Sequence, residues 1–227
     1  RAAEQVIANG RVTVDGTVAT LGVRADPDTQ HIAVDGRPIQ LETREVTMLM
    51  PKPTGVVVTA HDEEGRKTIY DLLPGAPSHL RYVGRLDIDT SGLLILTTDG
   101  ELAHRLTHPS HEVEKEYEAW VAGVVPEDAL EQLRRGVRLE DDDRTRPALV
   151  ERLPGEEPPT RVRLVIHEGR YRQVRRMFEA VGHGVFRLQR TRMGPLELGD
   201  LPLGQARELR PEEELALREV VGLTSAT

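Results

Sequence analysis

Between Arg161 and Arg192 the hydrophobic period changes twice, and those changes leave this stretch few ways to fold. Arg161 and Arg163 alternate with Val162, Leu164 and Ile166, a period of two that buries aliphatics on one strand face and lines the other with arginine. From Tyr171 to Val181 the apolar positions are Val174, Met177, Phe178 and Val181, the i, i+3, i+4, i+7 stripe of an amphipathic helix. Val185 to Thr191 alternates again and puts Arg190 and Arg192 on the same face as Leu188, so these arginines cannot all be simply solvated. The block reads strand, helix, strand.

Charge singles out the same block. The chain carries 30 Lys and Arg against 38 Asp and Glu, a net of -8, which taken alone argues against a generic basic nucleic-acid binder. Position matters more than the sum: residues 161–192 hold nine arginines and only Glu168 and Glu179, whereas residues 42–160 are strongly acidic. Within it, Glu168-Gly169-Arg170-Tyr171-Arg172-Gln173-Val174-Arg175-Arg176 forms a strand-to-helix entry. A helix N-terminus with a glycine for close backbone approach is a phosphate site, and the arginines add charge and bidentate contacts. With few acids nearby in sequence, an anionic polymer is the economical partner.

At 227 residues the chain has room for one sizeable core and a small appendage. It opens at Arg1 inside a helical pattern, with no initiator Met, so a preceding segment is expected. Ala2, Ala3, Val6 and Ile7 share a helix face until Asn9-Gly10 stops the run. Val12–Val14 and Ile32–Val34 are each followed by Asp-Gly, a signal for tight turns between strands. The pattern changes at 41–44, which places a boundary between a unit at 1–41 and a larger domain at 42–227. In the larger domain we expect strands near Val46, over Val56–Thr59, before Arg85, over Leu93–Thr97 and over Glu114–Ala122. Helices are expected near Thr68–Leu73, after Asp99, after Pro126 and from Pro211. No apolar run is long enough for a membrane span, and with no cysteine there is neither a disulfide nor a thiolate metal site.

Asp87 and Asp89 lie in a polar turn between two strands, where a scaffold can expose a reactive carboxylate. Spacing alone favours an ordinary turn whose Asp side chains cap backbone donors. It leaves open a nucleophile, half of an acid–base pair, or an Asp-x-Asp metal site. His104 and His108 are four apart, but Pro109 separates His111 from their face and no Glu stands between them, so a zinc site is not expected. The run Glu140–Asp143 lacks the Gly and ligand spacing of a calcium loop and reads as solvated.

The stretch Gly84-Arg85-Leu86-Asp87-Ile88-Asp89-Thr90-Ser91-Gly92-Leu93-Leu94-Ile95-Leu96-Thr97 resembles the signature of bacterial rRNA pseudouridine synthases of the RsuA/RluB type. Lys52-Pro53-Thr54-Gly55, residues 62–68, Glu114-Lys115-Glu116-Tyr117, and Glu168 through Met177 running on to Arg190 and Gly194 add to the likeness, which covers nearly all of 42–221. Pro51 departs from it, standing where the family usually has a polar residue. The resemblance implies an α+β fold, a mixed and largely antiparallel central sheet with flanking helices, preceded at 1–41 by part of a small S-four-type (alpha-L) RNA-binding module.

It also implies a reaction: uracil is detached from the ribose of one uridine in ribosomal RNA, rotated while bound, and rejoined through carbon. No cofactor or metal is implied, and a cytoplasmic monomer is expected. Asp87 corresponds to the catalytic aspartate that attacks the nucleotide, Tyr117 to the tyrosine packed on the base, Arg175 to the basic partner of the aspartate, and Arg85 to the arginine that fills the place of an extruded base. Physical logic agrees: a working carboxylate must stay ionised in a poorly hydrated cleft, and a cation within about 4 to 6 Å favours the ionised form. Unstacking the target costs a few kcal/mol, which a long side chain in the gap and an aromatic face for the base help offset. Lys52 and the arginines at 161, 163, 170, 172, 190 and 192 are expected on phosphates. The run Phe178–Gly182 leans toward the large-subunit branch. The competing reading is a non-catalytic rRNA-binding assembly factor. A glycoside hydrolase leaves the basic block unexplained.

Overall fold

A computed structural model describes residues 2–26, 29–39, 45–140, 144–155 and 158–223. The expected boundary at 41–44 and the acids Asp141–Asp143 lie outside the described residues. The chain divides into two compact units, Arg1–Glu45 and Val46–Thr227.

In the first unit, helix α1 (Ala2–Ala8) precedes β1 (Val12–Val14), β2 (Thr17–Val18), β3 (Ile32–Val34) and β4 (Arg37–Pro38), paired antiparallel in the order β2-β1-β3-β4. Both Asp-Gly pairs make hairpin turns in which both residues have positive φ: 50° and 80° at Asp15-Gly16, 51° and 75° at Asp35-Gly36. That conformation is the one whose twist matches the flanking strands.

The second unit runs β5 (Thr47–Lys52), β6 (Arg81–Val83), β7 (Thr90–Thr97), α2 (Gly100–Thr107), β8 (Lys115–Val121), α3 (Glu127–Arg135), β9 (Leu149–Arg152), β10 (Thr160–Ile166), α4 (Gln173–Ala180), β11 (Val185–Met193), β12 (Leu196–Glu197), β13 (Arg207–Glu208) and α5 (Pro211–Val220). Seven strands lie in the order β13-β5-β7-β11-β8-β10-β9, with β6 added to β7 and β12 to β11. All pairings are antiparallel except β7 with β11, so the sheet is mixed and largely antiparallel, as expected. Strand β7 is buried along its whole length, and alternation splits its side chains between two cores. Leu94 and Leu96 pack with Tyr117, Leu188 and the apolar stripes of α3 and α4, whereas Leu93 and Ile95 pack with α2, Met193 and α5. The continuous apolar run Leu93–Leu96 is what a strand covered on both faces requires.

Four local expectations shift. Val56–Thr59 makes only a bridge from Val57 to Thr68, and the helix expected near Thr68–Leu73 is a 3₁₀ turn over Tyr70–Leu72. Helix α4 begins at Gln173, because Arg172 takes a left-handed conformation at φ 47° that turns the chain into it. Strand β7 begins at Thr90, earlier than hydrophobicity indicates, since Thr90, Ser91 and Gly92 pair with Leu188, Gln189 and Arg190. Gly92 is required there: at φ 113° a Cβ would lie 2.2 Å from the carbonyl oxygen of Arg190 and 2.5 Å from its nitrogen.

Candidate active site

The turn joining β6 to β7 carries Arg85, Asp87 and Asp89, and it is fastened from below. Lys52 ends β5 opposite Gly92, is fully buried, and donates through Nζ to the carbonyls of Pro53 (2.9 Å), Asp87 (3.0 Å) and Thr90 (2.9 Å). The Thr90 amide also donates to Asp87 O (3.0 Å), and Gly55 N donates to Ile88 O (2.8 Å). Burial pulls the Lys52 ammonium down to about 8, although the charges of Asp87 and Asp89 oppose the fall. Lys52 was expected on a phosphate. A side chain with no exposure and three backbone acceptors cannot meet one, so its task is to hold the Asp87 turn.

Side chains of α4 close on the turn from the other side. Arg172 grips the Asp89 carboxylate with both nitrogens, at 3.2 and 3.1 Å, and comes within 3.9 Å of the Asp87 carboxylate. Arg175, which the sequence matched to Asp87, instead donates to Asp89 O at 2.9 Å and Val185 O at 2.6 Å, and lies 3.3 Å from the Asp89 carboxylate. The cause is helical geometry. Arg175 lies three residues beyond Arg172 and is buried against β11, whereas Arg172 at the helix entry reaches the open side of the turn. Burial by itself pushes the Asp89 carboxyl up, but the Arg172 hydrogen bonds and the charges of Arg175 and Arg172 outweigh it and hold Asp89 below the usual range. Asp89 therefore anchors the arginines of α4 to the turn, a larger part than turn geometry.

A cavity of about 960 Å³ opens beside this turn, and Arg85, Asp87, Tyr117, Arg170 and Arg172 all line it. Arg85 is exposed, Asp87 is partly exposed, and Tyr117 is buried with its strand neighbours in the core. Of the residues expected at the site, the cavity gathers Arg85, Asp87, Tyr117, Arg170, Arg172 and Arg190, whereas Lys52, Arg161, Arg163, Arg175 and Arg192 do not line it. Arg170 is restrained, with Nε 3.2 Å from Glu168 and a second nitrogen 3.1 Å from Arg144 O. Glu168 also accepts from Arg146 N (3.0 Å) and Gln173 Nε2 (2.6 Å), so the loop entering α4 is cross-linked by side chains.

The arginines of β10 do not face this cavity. Arg161 stands opposite Trp120, one residue off the Tyr117 face, and donates to Glu118 at 2.7 Å; Arg163 pairs with Glu151. Arg187 stacks on Trp120 with its guanidinium 4.0 Å from the ring centroid. Arg190 is buried and donates to Leu93 O at 2.8 Å, and Arg192 pairs with Glu114 at 2.8 Å. Acids distant in sequence engage Arg161, Arg163 and Arg192, while an indole ring holds Arg187 and a carbonyl Arg190, partners that the local charge count could not reveal. Sequence reasoning also missed Lys115. It shares the Tyr117 face of β8 by period two, lines the cavity, and is one of only three lysines beside 27 arginines, which was the available signal. The ring of His108 lies 5.3 Å from that of His104 and 6.3 Å from that of His111, and among the described residues no group of three or more His, Asp or Glu could hold a metal ion. No helix among the described residues is long and apolar enough to cross a membrane.

Comparison with known proteins places this geometry in a family. Residues 46–180 match the RNA pseudouridylate synthase family model. The chain is 45% identical to ribosomal large subunit pseudouridine synthase B of Bacillus subtilis, covering 96% of this chain and 89% of that protein. It is 44% identical to the protein of the same name from Vibrio cholerae, covering 98% and 71%. A solved structure described as a pseudouridylate synthase superposes with a TM-score of 0.72 at 32% identity, covering 95% and 92% of the two chains.

Proposed function

The chain belongs to the RNA pseudouridylate synthase family, and from that premise we propose that it converts one uridine of large-subunit ribosomal RNA to pseudouridine, with Asp87 as the reacting carboxylate. The observation that carries the assignment of Asp87 is its setting. It is a partly exposed carboxylate on the cavity wall, in a turn fixed by Lys52 from below and by Asp89 and the α4 arginines from the side. Preorganisation of that kind keeps the carboxylate in register with the ribose without reorganisation during the reaction.

The remaining roles follow from position. Tyr117 presents its ring to the base, a contact worth about 1 to 3 kcal/mol. Arg172, 3.9 Å from the Asp87 carboxylate, takes the charge-balancing part expected of Arg175, while Arg175 fixes Asp89. Exposed Arg85 fills the gap left by the flipped nucleotide, and Arg170 faces the RNA backbone from the cavity rim. The unit Arg1–Glu45 serves as an S-four-type RNA-binding appendage, and the enzyme works as a cytoplasmic monomer.

The test is genetic and chemical. In a strain lacking the gene, wild-type protein should restore one pseudouridine in large-subunit rRNA, and Asp87→Asn should restore none. Undiminished modification by Asp87→Asn would remove Asp87 from the reaction, and a restored site in small-subunit rRNA would overturn the substrate.

A further inference from the structure

The cavity that Asp87 lines carries more positive charge than the carboxylates there use. Lys115 and Tyr117 project from the same face of β8, and Arg190 of β11 stands directly opposite Tyr117 in the ladder. Thr90, three residues after Asp87, pairs with Leu188 on the adjoining strand. Lys115, Arg190 and Thr90 all line the cavity that Asp87 lines.

Their hydrogen bonding is incomplete. The Lys115 ammonium donates to Val113 O at 2.9 Å, and no carboxylate among the described residues forms an ion pair with it. Burial draws it down to about 8, and repulsion from Arg190 adds to the fall. Arg190 is 2% exposed; its Nε donates to Leu93 O, while one terminal nitrogen has no partner among the described residues. The Thr90 hydroxyl, also buried, has none either. A buried unpaired donor costs about 1 to 3 kcal/mol, more when charged. Two such groups together with a half-buried ammonium on one wall fit an anion held there during the reaction.

The chemistry proposed above supplies that anion. When the C1′–N1 bond breaks, its electron pair leaves with the base. Asp87 becomes neutral as its oxygen bonds C1′, or equally if it accepts the C2′ proton, and uracil departs carrying the negative charge over N1 and O2. Charge therefore moves off the carboxylate beside Arg172 and onto a base that has not yet been rejoined. Resting on that reading, we propose that Lys115 is a catalytic cation for the detached base, and that with Arg190 and Thr90 it forms an anion hole that holds uracilate until C5 attacks the ribose. The site acts as oxyanion holes do, offering fixed donors where charge develops. It also explains why a base no longer attached to ribose stays in the cavity while it rotates.

The experiment compares single-turnover rates on two RNAs, one with uridine at the target and one with 5-fluorouridine, followed as loss of the starting nucleoside. Fluorine stabilises the departing anion, so that base depends less on an external cation. Lys115→Met should slow the uridine reaction by about 10²-fold, the range for loss of one oxyanion-hole donor. It should slow the 5-fluorouridine reaction markedly less, leave RNA affinity unchanged, and be largely rescued by Lys115→Arg. Equal slowing on both RNAs, or none, overturns the proposal. If Lys115→Met does not fold by thermal melting, Thr90→Val is measured on the same two RNAs: weaker slowing on 5-fluorouridine supports the anion hole, and equal slowing or none overturns it. Wild-type protein inactive on uridine RNA would instead overturn the parent reading, and this inference with it.

Discussion

Replacing Lys52 by Met keeps most of the side-chain volume and removes the ammonium that fastens the Asp87 turn. Two opposing effects set the outcome. Drawing the ammonium from 10.5 to about 8 corresponds to about 3 kcal/mol against the charged form. Against that cost stand three hydrogen bonds to Pro53, Asp87 and Thr90, part of which the neutral amine would also make; Met leaves those carbonyls short of a donor, at about 1 to 3 kcal/mol each. Lys52→Met should therefore lose about 2 kcal/mol of stability near neutral pH. The pH dependence separates this account from simple cavity effects. The folded-state value lies below the unfolded one, so the unfolded chain binds the extra proton between about 8 and 10.5, and the stability of the wild type rises with pH across that window. For Lys52 alone the rise from pH 7.5 to 9.5 is roughly 2 kcal/mol. Urea unfolding at those two pH values should show a wild-type increase larger than that of Lys52→Met by about this amount. Equal increases, or a Met variant as stable as wild type at pH 7.5, would show that the Lys52 ammonium does not fasten the turn.

Two further outcomes follow from backbone geometry and charge. Gly92→Ala places a Cβ 2.2 Å from a backbone oxygen at φ 113°, and because neither strand can yield, the variant should lose more than about 3 kcal/mol or fail to fold, read by thermal melting against wild type. RNA affinity should fall with salt with a log–log slope of about -3 or shallower, since most arginines of residues 161–192 are held by acids or carbonyls of the protein; a slope near -6, as if all nine met phosphates of a single strand, would contradict those pairings.

Elements with a long, clean period were legible in the sequence. The alternation of 161–166 and the stripe of 174–181 became β10 and α4, and the doubly buried run at 93–97 lies inside β7. What could not be read is set by tertiary contact. Thr90-Ser91-Gly92 looks like turn because it is small and polar, yet it pairs as strand because β11 approaches too closely for a side chain at Gly92. Val56–Thr59 has strand composition, but β5 and β7 already pair with each other and leave it only a bridge. The site divides likewise: the motif around Asp87 gave its location and Tyr117 its neighbour, whereas a three-residue offset along α4 decided which arginine faces which carboxylate.

Charge shows why the sequence could locate the site and still misassign its arginines. Counting along residues 161–192 leaves Glu168 and Glu179 against nine arginines and points to an anionic partner. In the folded domain, Glu118 and Glu151 from neighbouring strands, Glu114 from just before β8 and Asp89 from the turn before β7 engage Arg161, Arg163, Arg192 and Arg172. Those pairs are partly exposed and individually contribute little to stability. Their effect is to neutralise much of the block outside the cavity, while inside it Lys115 and the free nitrogen of Arg190 have no acid to answer them among the described residues. A chain of net charge -8 can then attract RNA weakly over most of its surface and still offer concentrated positive charge where a base must be held. The acids that, summed along the chain, argue against a nucleic-acid substrate are what makes its recognition local.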